Sequence, residues 1–253
     1  AWCLYRLNRV SGALKTLERV IRLSGGVGEQ TESVPGGQSL NRVRLGNEAL
    51  KDYVPFYAES GQFKGAFDEF NRVSNDENRS NQMVERLAYI YSDMANRTAA
   101  NYLFKQLIAQ NPTAEKAADY QYRIVSSYAT TDANKFREEL ATWIDAFGPE
   151  SLWAKENSKN PKLVDETVKL QETVLRNHVL QLHQTAQNSR APFTQQSANK
   201  AYALYFKYFP KSSQSSEMVF YRAELLFDMK LYADAAKLYT YVAEKDPKSK
   251  FYK

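Results

Sequence analysis

A small residue, a large apolar residue four positions later and another apolar residue three after that recur along this chain. The triplet occurs as Ala13, Leu17, Val20; as Ala66, Phe70, Val73; as Ala100, Phe104, Leu107; as Ala198, Tyr202, Tyr205; and as Ala235, Tyr239, Val242. Spacings of four and three put all three side chains on one face of an α-helix. Upstream of three triplets stand matching apolar partners: Val54 and Tyr57, Ala88 and Tyr91, Ala223 and Leu226. Each triplet therefore reads as the second helix of a two-helix unit. Pro112, Pro210 and Pro247 follow the second helices at the same offset, where proline ends a helix because it lacks the N–H and disfavours a helical residue before it. A hairpin this short cannot bury both apolar faces alone, so the units must stack on one another.

The unit from Met218 to Pro247 is spelled most clearly. Its first helix carries Ala223, Leu226 and Phe227 on one face, a break falls near Lys230 and Leu231, and its second helix carries Ala235, Leu238, Tyr239 and Val242 before Asp246 and Pro247 stop it. From Ala66 to Ala100 the period is 34 residues. With this triplet, closing proline and period, the chain resembles the tetratricopeptide-repeat (TPR) family over most of its length. The resemblance implies an all-α, right-handed α-solenoid of TPR-like helical hairpins, about six units counting partial and divergent ones. It implies a scaffold for binding rather than any one activity, because repeat arrays carry many unrelated functions.

The residues divide as an N-terminal set of TPR-like repeats over 1–147, a linker over 148–162, and a C-terminal long helix with further repeats over 163–253. In the first part a helix end is followed by a tight turn at Val10, Ser11 and Gly12. Residues 24–37 are Gly- and Ser-rich, without periodicity, and read as a mobile loop inserted between repeats. They lack both the GxxxxGK[ST] spelling and the flanking strand of a phosphate-binding loop. The next repeat has Pro55 within its first helix, which should bend or loosen it, and turns at Ser60 and Gly61. Residues 74–80 read as a polar connector, and 81–112 as the cleanest repeat. In a divergent repeat over 117–147, Phe136, Leu140 and Trp143 take the triplet spacing, with a large residue in the small slot that holds the helices further apart. Leu152 and Trp153 in the linker are expected to tuck back. The long helix over 163–189 carries an apolar stripe of Val164, Val168, Leu175, Val179 and Leu182, broken by Pro192 and Phe193. Ala1 falls at the helix position equivalent to Ala223, and Lys253 where a new helix would start, so the chain is expected to be an excerpt of a longer array.

A hydrophobic share of 43% and a charged share of 25% are those of a folded protein rather than a disordered one. The 17 Tyr and 13 Phe fit two readings, the large slot of each repeat or an aromatic-lined groove. The net charge of +5 comes from interleaved acids and bases, whereas a nucleic-acid binder clusters its bases on one face. Arg6, Arg9, Lys15, Arg19, Arg22, Arg42 and Arg44 are the one basic cluster, read either as a solvated helix face or as a contact for an acidic partner or lipid headgroups. The lone Cys3 excludes an internal disulfide and a cysteine metal site, and beside Leu4 it reads as packing. There is no apolar run of about 18 residues to span a membrane and no visible signal peptide.

Candidate chemistry is sparse. His178 and His183 lie five apart on the long helix, where a metal pair prefers four, and neither has an evident Ser or Cys partner. No metal, cofactor or catalytic residue is expected. The neighbouring carboxylates Asp68 and Glu69, Glu138 and Glu139, and Asp165 and Glu166 point apart on a helix and read as solvated faces. The sequons at Asn78 and Asn96 are short enough to arise by chance. The TPR resemblance implies that first helices line a concave surface and places Lys51, Gln82, Glu85, Tyr89, Ser92, Tyr122, Phe220, Glu224 and Phe227 near it. The Lys/Asn clamp by which some TPR domains hold a C-terminal carboxylate is absent, since Pro55 follows Lys51 where Asn would stand.

The expected function is a non-catalytic protein–protein interaction scaffold that binds a partner protein or peptide in the concave groove, with no nucleic acid, as part of a larger assembly. The last unit is also similar to TPR proteins of bacterial cell envelopes, of the outer-membrane assembly and gliding-motility kind. That likeness implies a periplasmic or envelope location, and without it a cytoplasmic one. Two rivals stand beside this reading. A nucleic-acid-binding helical repeat requires Lys and Arg along the groove, and a helical-solenoid enzyme requires a pocket within 163–209 where His178 or His183 has a polar partner.

Overall fold

The computed structural model describes residues 1–24 and 38–245, and every regular element among them is an α-helix. In chain order these are α1 (Trp2–Arg6), α2 (Val10–Leu23), α3 (Gln38–Glu59), α4 (Ala66–Ser74), α5 (Glu77–Asp93), α6 (Arg97–Gln110) and α7 (Ala117–Tyr128). There follow α8 (Ala133–Phe147), α9 (Leu152–Glu156), α10 (Pro161–Ser189), α11 (Pro192–Tyr208), α12 (Ser215–Asp228) and α13 (Tyr232–Lys245). The chain forms two compact units, Ala1–Glu139 and Leu140–Lys253, divided within α8. Helices pack on their chain neighbours, as in α2 with α3, α5 with α6, α10 with α11 and α12 with α13, and on alternate helices, as in α3 with α5 and α10 with α12. The loop expected over 24–37 and the stop at Asp246 and Pro247 lie, from residue 25 and residue 246 respectively, outside the described residues.

The small member of every triplet is buried: Ala13, Ala66, Ala100, Ala198 and Ala235 are all at most 3% exposed. A methyl group at these positions lets two helices approach closely. Leu17, Phe70, Phe104 and Tyr202 are buried beside them, while Tyr239 is half-buried. In the first unit one continuous core runs from Ala13 through Phe70 and Phe104 to Ile124. In α2 the third slot belongs to Ile21, not Val20, which is only half-buried. Phe136, Leu140 and Trp143 are buried as the divergent triplet required.

Three hairpin turns share one backbone device. Asn8, Ala95 and Lys230 adopt left-handed φ values of 56°, 57° and 62°, each two residues before a second helix. The next residue's N–H reaches back five positions: Arg9 to Leu4, Asn96 to Tyr91 and Leu231 to Leu226, at 2.8–2.9 Å. The left-handed residue reaches back three: Asn8 to Tyr5, Ala95 to Ser92 and Lys230 to Phe227, at 2.9–3.0 Å. This paired pattern satisfies carbonyls that the helix end leaves free. The turn is therefore at 7–9, and the expected turn at Val10, Ser11 and Gly12 is wrong. Those residues start α2, because the pattern closes on Arg9 and leaves Gly12 packed 3.6 Å (from its would-be Cβ) from Leu4. At Ser60 and Gly61 the expected turn is present, with Gly61 and Gly65 at φ 71° and 75°.

Several other expectations change. Residues 74–80 are not simply a connector: Asp76 accepts the Arg79 N–H at 3.0 Å and starts α5 at Glu77. Ser80 is buried and donates to the Phe67 carbonyl at 3.1 Å. Pro55 lies within α3, as expected, and the helix continues past it to Glu59. The linker contains α9, capped by Ser151, which buries Trp153 but leaves Leu152 exposed. On α10 the buried residues are Thr167, Gln171, Leu175, Val179, His183 and Ala186, so polar side chains share the stripe and Val164, Val168 and Leu182 are only half-buried. Gln171 is accommodated because its amide donates to the Trp143 carbonyl at 2.9 Å. Cys3 is exposed rather than packed, since the short α1 turns Leu4 toward the core instead. Glu69 and Glu139 are half-buried and engaged rather than on a free solvated face: Glu69 accepts from Tyr53 at 2.6 Å, and Glu139 accepts from Lys105 at 2.6 Å and Gln121 at 2.8 Å.

Two substitutions test this packing. Ala100→Trp should lower stability by about 1–3 kcal/mol or more through overpacking, read as a fall in the denaturant midpoint. Ala95→Gly should raise it by about 0.5–1 kcal/mol, since glycine removes the left-handed strain.

Candidate functional site

One opening in the first unit lies between α3 and α5. Two hydrogen bonds set the register of these helices: Arg79 Nη1 donates to Asn47 Oδ1 at 2.9 Å, and Arg86 Nη1 donates to the Lys51 carbonyl at 2.8 Å. Both partners advance together along the chain, so α3 and α5 run parallel. The cleft between them has a volume of about 740 Å³. Buried Leu50, Val54 and Met83 form its apolar floor, with half-exposed Val43 at its edge. Arg44, Lys51, Arg79 and Arg86 line it with positive charge, against two carboxylates, Glu48 and Asp76. Lys51 pairs with Glu48 at 3.0 Å and Arg79 with Asp76 at 3.8 Å.

Lys51 and Gln82 both line this cleft and both are exposed. The next seam along, between α5 and α7, is different. There Glu85 accepts from Lys116 at 2.7 Å. Tyr89 donates to Asp119 at 3.0 Å, and Arg123 sits 5.4 Å from the Tyr89 ring centre. Charges in this seam are matched within the chain, two against two. Ser92 is exposed at the end of α5 and Tyr122 is half-buried on α7. Phe220, Glu224 and Phe227 belong to α12 of the second unit. Phe220 packs against Tyr239 with ring centres 5.7 Å apart, and Glu224 accepts the Tyr239 hydroxyl. Phe227 is 55% exposed and meets Tyr232 edge-on at 5.2 Å. Arg79, Arg86 and Asn47 were missed by sequence reasoning. Arg79 fell in the supposed connector, and nothing in the repeat pattern marks residues that bridge two parallel helices.

In the second unit His183 is buried, and its Nδ1 lies 2.7 Å from the Tyr202 hydroxyl. The ring also meets Tyr221 edge-on at 6.4 Å. Nε2 of His183 is buried without a hydrogen-bond partner. Burial pushes the His183 pKa down, opposed by the charges of Asp228 and Glu224, and pushes that of Tyr202 up. The neutral imidazole thus accepts or donates one bond to a protonated tyrosine. Among the described residues no group of three or more His, Cys, Asp or Glu is placed to hold a metal ion. None of the described helices is long and apolar enough to cross a membrane.

Other tyrosines are also held protonated. Burial first, then nearby Tyr57 and Glu59, pushes Tyr91 up to about 12, and its hydroxyl donates to the Gln62 carbonyl at 2.7 Å. Asn96, the asparagine of one sequon, caps α6 through its Oδ1, which accepts the Ala99 N–H at 3.3 Å.

A scan against protein-family models finds no match to this chain, and no curated protein matches it either.

The His183 site generates a pH prediction. A base whose folded pKa lies below its unfolded value of about 6.5 binds its proton first in the unfolded chain. The stabilisation is therefore complete above that pH and is lost as the pH falls below it. The melting temperature should drop from pH 7.5 to 5.5, and His183→Gln should reduce that drop, as measured by calorimetry at both pH values.

Proposed function

We propose that the chain is a non-catalytic, TPR-like α-solenoid scaffold that holds a segment of a partner protein along the first helices of its N-terminal unit. The observation that carries this reading is the cleft between α3 and α5, open over an apolar floor and lined by Lys51 and Gln82. A cleft with a buried apolar base and a polar rim suits a side-chain anchor surrounded by hydrogen bonds. The solenoid is supported by helices that pack on chain neighbours and on alternate helices, and by burial of the alanine in each triplet. A protein partner is favoured over nucleic acid because the adjoining seam carries Glu85 and Asp119 beside Lys116 and Arg123, whereas a phosphate backbone calls for a continuous basic track. A binding role is favoured over catalysis because His183 meets a tyrosine hydroxyl within the core rather than in an open pocket. A bacterial cell-envelope setting is part of the proposal and rests on the spelling of the last unit.

The experiment is affinity capture of partners from the native cell extract, with the parent protein and a Gln82→Trp variant. Gln82 is exposed at the cleft, so the indole fills the opening without entering the core. The parent should retain specific envelope proteins, and the variant should lose at least about 80–90% of them, equivalent to a loss of about 1–1.4 kcal/mol or more. Equal capture by both proteins, or capture of nucleic acid that disappears at high salt, would overturn the reading.

A further inference from the structure

We propose that the segment held between α3 and α5 is acidic: a short extended stretch with two carboxylates about 10 Å apart and an apolar side chain between them. This rests on the reading of the cleft as the partner-binding site.

Charge is the first ground. Four cationic side chains face two carboxylates around the cleft, leaving an excess of two positive charges. The bonds that hold the arginines do not cancel that excess. Glu48 and Asp76 offset Lys51 and Arg79, while the Arg79 hydrogen bond to Asn47 and the Arg86 bond to a backbone carbonyl are to neutral acceptors. A guanidinium has five N–H donors, so one such bond leaves a fork able to receive a carboxylate. The seam between α5 and α7 provides an internal contrast, because Lys116 and Arg123 there are paired with Glu85 and Asp119.

Spacing is the second ground. Arg44 and Lys51 are seven residues apart on α3, and Arg79 and Arg86 are seven apart on α5. Seven residues make two helical turns, a rise of about 10 Å. Because α3 and α5 are parallel, the cleft has a cation near each end of both walls. An extended chain advances about 3.3 Å per residue, so acidic residues three apart span the same distance. Their side chains point to opposite faces of the strand and so reach opposite walls. A residue between them faces one wall or the other, where Leu50 and Val54 on α3 or Met83 on α5 supply the apolar contact. A cleft of about 740 Å³ is in the range that encloses a small ligand or a few side chains rather than a long helix.

The test pans a library of short random peptides, displayed on phage, against the full chain, after removing phage that bind the cleft-filled Gln82→Trp variant. Recovered peptides are synthesised with a fluorescent label and titrated by anisotropy at low and high salt. They are also titrated against Arg44→Glu and against Arg86→Gln, with circular dichroism to confirm that each variant is folded. The expected outcome is enrichment of Asp or Glu three positions apart around an apolar residue. Affinity should fall at least about tenfold in each variant and at high salt. Neutral or basic peptides that depend on the open cleft would overturn the acidic occupant and leave the groove reading standing. A selection that yields no cleft-dependent peptide would overturn both. Displacement of the bound peptides by a short single-stranded DNA would overturn the acidic peptide in favour of a nucleic-acid ligand.

Discussion

Ala13, Ala66, Ala100, Ala198 and Ala235 occupy the positions where a larger side chain would hold neighbouring helices apart, and all five are buried. Close packing of the helices depends on those methyl groups, because interaxial distance is set by the side chains at the contact. Once the helices are close, the large residue four positions on must fill the remaining space, as Phe70, Phe104 and Tyr202 do. A helical pair is too small to bury these groups alone, so the core of the first unit is built by successive helices and runs unbroken from α2 to α7. The cleft between α3 and α5 is a consequence of this arrangement. The helices α3 and α5 lie side by side, and their outward rows of side chains become its walls.

Filling large slots with tyrosine brings a second requirement, since a buried hydroxyl must find a partner. Here the partner is repeatedly a carboxylate. Tyr53 donates to Glu69 at 2.6 Å, with Glu18 3.1 Å from the same oxygen, and Tyr205 donates to Glu172 at 2.6 Å. These bonds pull acidic side chains inward. Arg72 follows Glu69 into one such cluster, and its hydrogen bonds hold the Glu69 carboxyl below its ordinary pKa. His183 belongs to the same logic as the partner of Tyr202. Its burial follows from the tyrosine slot of α11, which explains why a polar residue shares the inner stripe of α10.

These internal pairs also shape the surface. Carboxylates committed to tyrosines and lysines cannot offset charge elsewhere. Along the α5–α7 seam Lys116 and Arg123 are matched by Glu85 and Asp119, while the α3–α5 cleft sets Glu48 and Asp76 against four cations, with Arg86 held by a backbone carbonyl. A chain whose bases and acids are nearly balanced overall thus presents a locally positive opening. Net charge alone would not reveal it.

All-helical structure, paired helices and the identity of the buried alanines and aromatics were legible in the amino-acid sequence, because periods of three and four residues report directly on one helix face. So were the break near Lys230 and the turn at Ser60 and Gly61. The turn at Asn8 was instead expected at residues 10–12, and Ala95 carries no sequence signal for a left-handed backbone. The start of α5 at Glu77, where Asp76 turns a polar run into a helix cap, was not legible either. Of the candidate site, the sequence alone singled out Lys51 and Gln82, and Arg44 as part of a basic cluster. It was silent on Arg79, Arg86 and Asn47, whose contacts join residues about two helices apart in the chain. Local periodicity decides which side of a helix is buried, whereas pairings such as Arg86 with Lys51 or Tyr202 with His183 arise only when separate helices are brought together, and those were decided by the tertiary structure.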